Sequence, residues 1–394
     1  MTNEEKIEEI LTRGVAEVIP TDKLRAKLLE GKPLRIKFGV DPTSPSLHLG
    51  RATAIWKLRA FQDLGHTIVF IIGDFTGVIG DTSDKESERP MLTRETVEQN
   101  LSTYFEQAGK ILDMSKVEKH RNTEWLEKLT YRQITEQADV FSLADFISRE
   151  NIKKRLDEGK RVSLRELLYP LMQGYDSVEV NADVEIGGTD QKFNMLAGRK
   201  LQEHFKKEAQ SILMLDLIEG LDGRKMSSSW GNTINLTDTA NDMFGKVMSL
   251  RDELIVKYFK YATRVPVQKV SDAQTALERG ENPRDVKLDL AEEIVSMYHG
   301  SDVAVQARES FLSTFQKKEI PDDIEEIKGE GKLGELLKSK EIVSSMTDWR
   351  RLVGEGAVKR LEKGGVEEKI TDDTVLATPG VYKIGKRRFV KIVE

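Results

Sequence analysis

The chain has 394 residues, 38% apolar and 32% charged, with a formal net charge of −6 and a pI near 5.7; this is too long for one ordinary core and predicts two or three domains of a soluble protein. The absence of cysteine excludes disulfides, thiolate nucleophiles and zinc–thiolate sites and fits a reducing compartment, so a cytoplasmic location is expected. No apolar run approaches a bilayer span, the N-terminus is acidic rather than a basic leader, and the overall acidity excludes a globally basic nucleic-acid binder, so no membrane partner is expected and any RNA contact must come from a local patch.

Residues 34–40 (LRIKFGV) and 67–73 (TIVFIIG) are β-rich, and between them Leu49–Leu64 repeats apolar residues at helical spacing before Gly65. A strand–helix–strand unit of this kind predicts a parallel sheet whose ligands gather at the carboxyl ends of its strands, here the loops DPTSPSLHLG and GDFTGVIGD. Residues 94–175 read as mostly helical. A strand returns at Val184–Ile186 ahead of Gly187 and Gly188, another spans Ser211–Leu217 before the polar loop Gly220–Asn232, and 241–316 reads as helical again.

The predicted class is therefore α/β. A Rossmann-like parallel-sheet domain with a helical insertion is expected over 1–222, a mobile loop over 223–232, an α-helical domain over 233–325 and, beyond a charged linker near Asp322–Lys332, a small α+β domain over 332–394. That last segment holds 14 lysines and arginines against 10 acids, leaving the rest of the chain near −10, so positive charge is segregated to the C-terminus.

Two short segments carry chemistry. His48-Leu49-Gly50 opens a helix just after Asp41-Pro42-Thr43, where helix N–H groups attract anions and glycine admits a flat ring close to the backbone. Lys225-Met226-Ser227-Ser228-Ser229 offers a cation and several hydroxyls to phosphate oxygens. Taken singly, the first reads equally as a helix entry and the second as a solvated loop. As a pair, in this order and at this separation, they resemble the HIGH and KMSKS signatures of class I aminoacyl-tRNA synthetases. Longer stretches (GVDPTSPSLHLG, FQDLGHTIVFIIGDFTGVIGD, LLYPLMQGYDSVEV, IGGTDQKFN, LDGRKMSSSWGN) resemble the bacterial tyrosyl-tRNA synthetases over nearly the whole chain. The chain departs from the family pattern at Arg51, where HIGH has its second histidine, at Ser228, where KMSKS has its second lysine, and at Lys37, a tyrosine in some relatives.

The resemblance implies ATP-dependent activation of L-tyrosine followed by its transfer to tRNA(Tyr), with Mg²⁺ accompanying ATP and no structural metal. It implies that Thr43, His48, Arg51 and Lys225, with Lys85 and Arg89 from a mobile loop, stabilise the phosphates and the leaving pyrophosphate. ATP would also meet Asp41, Pro42, Gly50, Gly188, Asp190, Met226, Ser227, Ser228 and Ser229. Asp190 reads either as a ribose acceptor or as a helix N-cap. Tyr169, Gln173 and Asp176 recur at i, i+4 and i+7 on one helical stripe; a polar stripe ordinarily faces water, but the resemblance puts this one in a tyrosine site with Lys37, Gly39, Asp81 and Gln191, where Asp176 accepts from the substrate hydroxyl.

Residues 345–358 resemble the small αL RNA-binding domain, with Arg350, Arg351, Lys359 and Arg360 as candidate RNA contacts, and the middle helices are expected near the anticodon. A homodimer is implied by the family. Two other readings are a ligase for another aromatic amino acid and, given Arg51 and Ser228, a catalytically impaired paralogue acting as an RNA-binding protein.

Overall fold

A computed structural model describes residues 2–82, 91–101, 103–316, 324–329, 331–361, 367–385 and 388–393; Lys85 and Arg89 lie outside the described residues. The chain divides into two compact units, Met1–Ser301 and Asp302–Glu394.

The first unit is organised on six strands, β1 (Val15–Ile19), β2 (Arg35–Val40), β3 (Thr67–Ile72), β4 (Val117–Arg121), β5 (Val184–Gly188) and β6 (Ser211–Leu215), in the order β1-β6-β5-β2-β3-β4. Only β1 runs antiparallel to its neighbour. The expected unit forms as β2, helix α1 (Leu49–Asp63) and β3, with β2 and β3 in register from Arg35↔Thr67 to Val40↔Ile72. Ile68 to Ile72 are all fully buried, the pattern of a parallel strand covered on both faces. Helix α1 buries Ile55, Leu58 and Phe61, which share one face at helical spacing.

From β2 the chain proceeds to β3 and β4 on one side, whereas β5 and β6 lie on the other. The reversal falls between β2 and β5, which pair only at Ile36↔Val184 and Lys37↔Glu185, and a crevice at the carboxyl ends of such a switch point is where open α/β sheets bind ligands. Three further helices frame it: α2 (Asp74–Ile79), α3 (Leu164–Glu179) and α4 (Lys192–His204). Helix α3 starts in a capping box of Ser163 and Glu166, and Glu166 is also ion-paired to Arg155 at 2.5 Å, both side chains being inaccessible.

Strands β1 and β4, and a further strand at Glu325–Lys328, have no counterpart among the elements expected from sequence. Strand β4 lies within the stretch expected to be mostly helical; its sequence, VEKHR, buries only Val117 and so carries no apolar alternation. Edge strand β1 likewise has no buried residue. The helices that follow Asn232 belong, as far as Ser301, to the same compact unit as the sheet. Tyr258 donates to the Glu219 carbonyl (2.6 Å), Tyr261 to Asp216 (2.8 Å), and Lys257 pairs with Glu219 (2.8 Å).

In the second unit, helices α5 (Leu333–Ser339) and α6 (Met346–Gly354) accompany a sheet of β7 (Glu325–Lys328), β8 (Val358–Leu361), β9 (Glu367–Lys369), β10 (Gly380–Ile384) and β11 (Arg388–Val393), ordered β7-β11-β10-β8-β9. Fully buried Trp349 centres its core and donates its indole N–H to the Asp373 carbonyl (2.8 Å). The segment expected as a linker thus contains strand β7, which pairs in parallel with β11. Of β7 only Ile327 is buried, so its place is set by pairing with a distant strand and left no mark in local composition.

Candidate active site

A cavity of about 400 Å³ lies at the β2/β5 switch point and draws its walls from both signature segments, from α3 and from the residues that follow β5. One half collects His48, Arg51 and Lys225; the other collects Asp41, Asp81, Asp176 and Glu185.

The first half is built on the start of α1. His48 is its N-cap residue, and the following amide of Leu49 donates to the Ile234 carbonyl (2.8 Å), so the helix end is anchored to the chain beyond the serine-rich loop. The Gly50 amide faces the sulfur of buried Met226 at 3.3 Å, and a Cβ on residue 50 would lie 3.1 Å from Nδ1 of His48. The two signatures, 176 positions apart, are therefore in direct contact. Burial, reinforced by the charges of Arg51 and Lys225, pushes the His48 imidazole down to about 3, which favours a neutral ring that offers hydrogen bonds rather than charge. Its Nδ1 is buried without a protein partner.

Arg51 directs one terminal nitrogen to the Asp41 carbonyl (3.1 Å) and the Tyr104 hydroxyl (3.2 Å), and the other to Thr43 Oγ1 (3.2 Å). Tyr104 in turn donates to the Ser44 carbonyl (2.5 Å), and Asn100 donates to the Pro42 carbonyl (2.9 Å). Arg51 thus braces the loop of residues 41–44. Lys225 is ion-paired with Asp190 at 3.0 Å, Ser227 donates its amide to Asn232 (2.8 Å), Ser228 and Ser44 share a hydroxyl contact at 3.1 Å, and Ser229 lies in the short turn Ser228–Trp230. Asp190 does not cap α4, whose N-cap residue is Gln191, its side chain turned to partners other than the helix amides. It follows Gly188 on the cavity wall instead.

In the acidic half, Tyr169, Gln173 and Asp176 of α3 all face the cavity. Tyr169 donates to Asp41 Oδ2 (2.8 Å) and Thr76 to Asp41 Oδ1 (2.8 Å). The approach needs glycine at position 73, where a Cβ would fall 2.0 Å from Asp41 Oδ1. Burial pushes the Asp41 carboxyl up to about 6. Asp176, 4% exposed, accepts from the Trp125 indole (2.8 Å) and from Asn122 Nδ2 (3.3 Å), and Asn122 also donates to Thr76 (2.9 Å). Burial raises Asp176 to about 7, opposed chiefly by the positive charge of Lys37. Gln191 donates to Asp81 (2.8 Å), and Gly39 offers open backbone on the same wall.

Lys37 stands apart from the other tyrosine-site candidates. Expected among the tyrosine-binding side chains, it is fully buried beneath the cavity, bonded to the Gln173 carbonyl, Ser177 and Glu185. The sequence reading also missed Thr76, Tyr104, Asn122, Trp125, Glu185 and Asn194. Asn122 and Trp125 follow β4, the strand with no apolar signal, whereas Glu185, an acid inside an apolar strand, was a legible anomaly.

In the second unit, Arg350 pairs with Asp373 (3.0 Å) and Arg351 with Asp348 (2.7 Å) and Glu355 (2.9 Å), all on the surface, while Arg360 donates to the Pro379 carbonyl (2.9 Å). Lys359 stands on β8 opposite Lys369 and Lys383.

A family model described as class I tRNA synthetases (W and Y) matches residues 29–316. The tyrosine–tRNA ligase of Idiomarina loihiensis is 46% identical over 398 residues, 98% of each chain, and that of Carboxydothermus hydrogenoformans 44% over 403 residues, 98% of this chain and 97% of that one. Among solved structures, a C-terminally truncated mitochondrial tyrosyl-tRNA synthetase of Coccidioides posadasii superposes with a TM-score of 0.63 at 24% identity, covering 78% of this chain and 91% of that one. The Archaeoglobus fulgidus tyrosyl-tRNA synthetase, solved with L-tyrosine, gives 0.61 at 21% identity over 78% of this chain and 100% of its own. At these identities the two structures establish the likeness of fold.

Proposed function

This chain belongs to the class I tRNA synthetases of the tryptophan and tyrosine group, and from that membership we infer that it is a tyrosine–tRNA ligase, activating L-tyrosine with ATP and transferring it to the 3′-terminal adenosine of tRNA(Tyr). Asp176 carries the choice of amino acid: a buried carboxyl on the cavity wall, oriented by Trp125 and Asn122, in its ionised form accepts from a phenol, a bond that a phenyl ring cannot make.

In the first step a carboxylate oxygen of tyrosine forms a bond to the α-phosphorus as the bond from that phosphorus to the bridging oxygen breaks and pyrophosphate leaves. An amino-acid carboxyl has a pKa of about 3.3–3.7, so the nucleophile is already ionised and needs no base; catalysis comes from positioning and from donors aimed at growing phosphate charge. We assign neutral His48 and Thr43 to the phosphates and Gly50 with Met226 to adenine. Lys225 would exchange Asp190 for pyrophosphate, freeing Asp190 for the ribose hydroxyls, and Lys85 and Arg89 would assist the leaving group. Arg51 acts by holding the loop of Asp41 and Thr43. Tyr169, Gln173, Asp81 and Gln191 surround the ammonium group. Mg²⁺ is expected to travel with ATP; among the described residues no group of three or more His, Cys, Asp or Glu is disposed to hold a metal. In the second step a ribose hydroxyl oxygen of the terminal adenosine bonds to the carbonyl carbon as the bond from that carbon to the phosphate oxygen breaks; AMP leaves with that oxygen, and the hydroxyl proton passes to the departing phosphate.

The tail, through Arg350, Arg351, Lys359 and Arg360, is assigned to tRNA phosphates, contacts that should weaken with salt. The helices after Asn232 are assigned to the anticodon region. A cytoplasmic homodimer is the assembly we propose, on the family resemblance. The test is ATP–pyrophosphate exchange with an amino-acid panel. Exchange that requires tyrosine is expected; exchange driven by tryptophan instead indicates another aromatic ligase, and tRNA binding without any exchange indicates an impaired paralogue.

A further inference from the structure

Lys37 and Glu185 face each other in register on β2 and β5 and are 0% and 2% exposed. The three ammonium hydrogens of Lys37 are all committed, to the Gln173 carbonyl (2.8 Å), Ser177 Oγ (2.7 Å) and Glu185 Oε1 (2.9 Å). Glu185 also accepts from Gln173 Nε2 (3.1 Å), from Ser177 Oγ (3.3 Å) and from Gln210 Nε2. A buried carboxylate keeps its charge only beside a counter-ion, and a charged carboxylate only accepts. Gln173 must therefore turn its NH₂ to Glu185 and its oxygen away.

That orientation propagates. Gln173 Oε1 receives Asn194 Nδ2 (3.0 Å), and Asn194 donates from the same nitrogen to Gln191 Oε1 (3.1 Å). Gln191 then aims its NH₂ at Asp81 (2.8 Å). The relay is pinned by a carboxylate at each end. Asn194 donates in both directions, and its own oxygen is buried without a protein partner; flipping it would set oxygen against oxygen twice. In this arrangement the amide oxygen of Gln173 keeps a second lone pair. Had Gln173 flipped, its NH₂ would oppose an incoming ammonium group.

We propose that Lys37 and Glu185 are a positioning pair that touches no reacting atom but sets the donor and acceptor directions of the Gln173–Asn194–Gln191 relay, so that Gln173 presents its oxygen to the amino group of the amino acid. The proposal rests on the tyrosine reading above.

The test compares affinities of the full-length chain for tyrosine and for 3-(4-hydroxyphenyl)propionate, which lacks only the ammonium group, by calorimetry. The double variant Lys37→Met/Glu185→Gln replaces the ion pair with neutral residues of similar length and leaves no isolated buried charge. It is expected to lose about tenfold more affinity for tyrosine than for the des-amino analogue, the scale of one charge-assisted hydrogen bond, because any change at Asp176 falls equally on both ligands, while affinity for ATP stays within about twofold of the parent. Asn194→Ala breaks the same relay one link further on and is expected to give the same selective loss, which keeps the proposal testable if the double variant folds poorly. Equal loss for both ligands, or no loss in a folded variant, overturns the proposal while the ligase reading stands. A parent chain that binds no tyrosine overturns both.

Discussion

Replacing Asp176 by asparagine is the most direct probe of amino-acid choice. The side chain keeps its size but no longer offers two accepting oxygens to the donors that converge on it, Trp125 Nε1 at 2.8 Å and Asn122 Nδ2 at 3.3 Å. The shorter bond favours an amide whose oxygen stays on Trp125, which turns its NH₂ toward Asn122, donor against donor. At a group only 4% exposed, water cannot repair that mismatch, and the substrate phenol loses its charged acceptor. Hydrogen bonds to charged groups contribute about 1.5–3 kcal/mol, so kcat/KM for tyrosine should fall by about 10- to 150-fold. Phenylalanine never used the bond and should be affected by no more than about threefold, so selectivity contracts by nearly the whole factor. Pyrophosphate exchange with both amino acids, run on protein whose melting temperature is checked, measures the ratio. A folded variant with an unchanged tyrosine-to-phenylalanine ratio would refute the assignment of Asp176 to the phenol.

The same carboxyl predicts a pH effect. Burial raises Asp176 from 3.8 to about 7, so its stabilising share is fully present below the unfolded value and is lost as pH rises toward about 7; ionised acceptor grows over the same window. KM for tyrosine should therefore fall between about pH 6 and pH 8, a trend that Asp176→Asn should flatten in parallel titrations. Arg51→Ala removes the three contacts that brace residues 41–44 and should lower kcat in exchange by about tenfold or more while leaving tyrosine affinity within about twofold, as read from steady-state kinetics alongside calorimetry. Lys225→Ala, which frees Asp190 but removes a cation from the leaving group, should depress kcat far more than it alters tyrosine affinity in the same assays. Arg155→Met strands Glu166 in a buried pair and should cost about 3–5 kcal/mol in urea unfolding, with loss of the α3 cap.

Local periodicity recorded the central strands and α1, because a residue's burial on one face of a strand or helix leaves its mark within a few positions. The sequence likewise contained both signature segments and the Tyr169, Gln173 and Asp176 stripe, since helical spacing alone puts those three on one side of α3. It did not contain the partners. Asp176 meets Trp125 from 51 positions away, Lys37 meets Glu185 from 148, and Gly50 meets Met226 from 176. Strand β4, which delivers Asn122 and Trp125, is charged and half exposed, so nothing local distinguishes it from a helix surface. Tertiary structure alone decided that Lys37 lies under the cavity rather than in its wall and that Arg51 holds a loop, because a buried polar group takes its role from whichever distant donors and acceptors the folded sheet brings within about 3 Å.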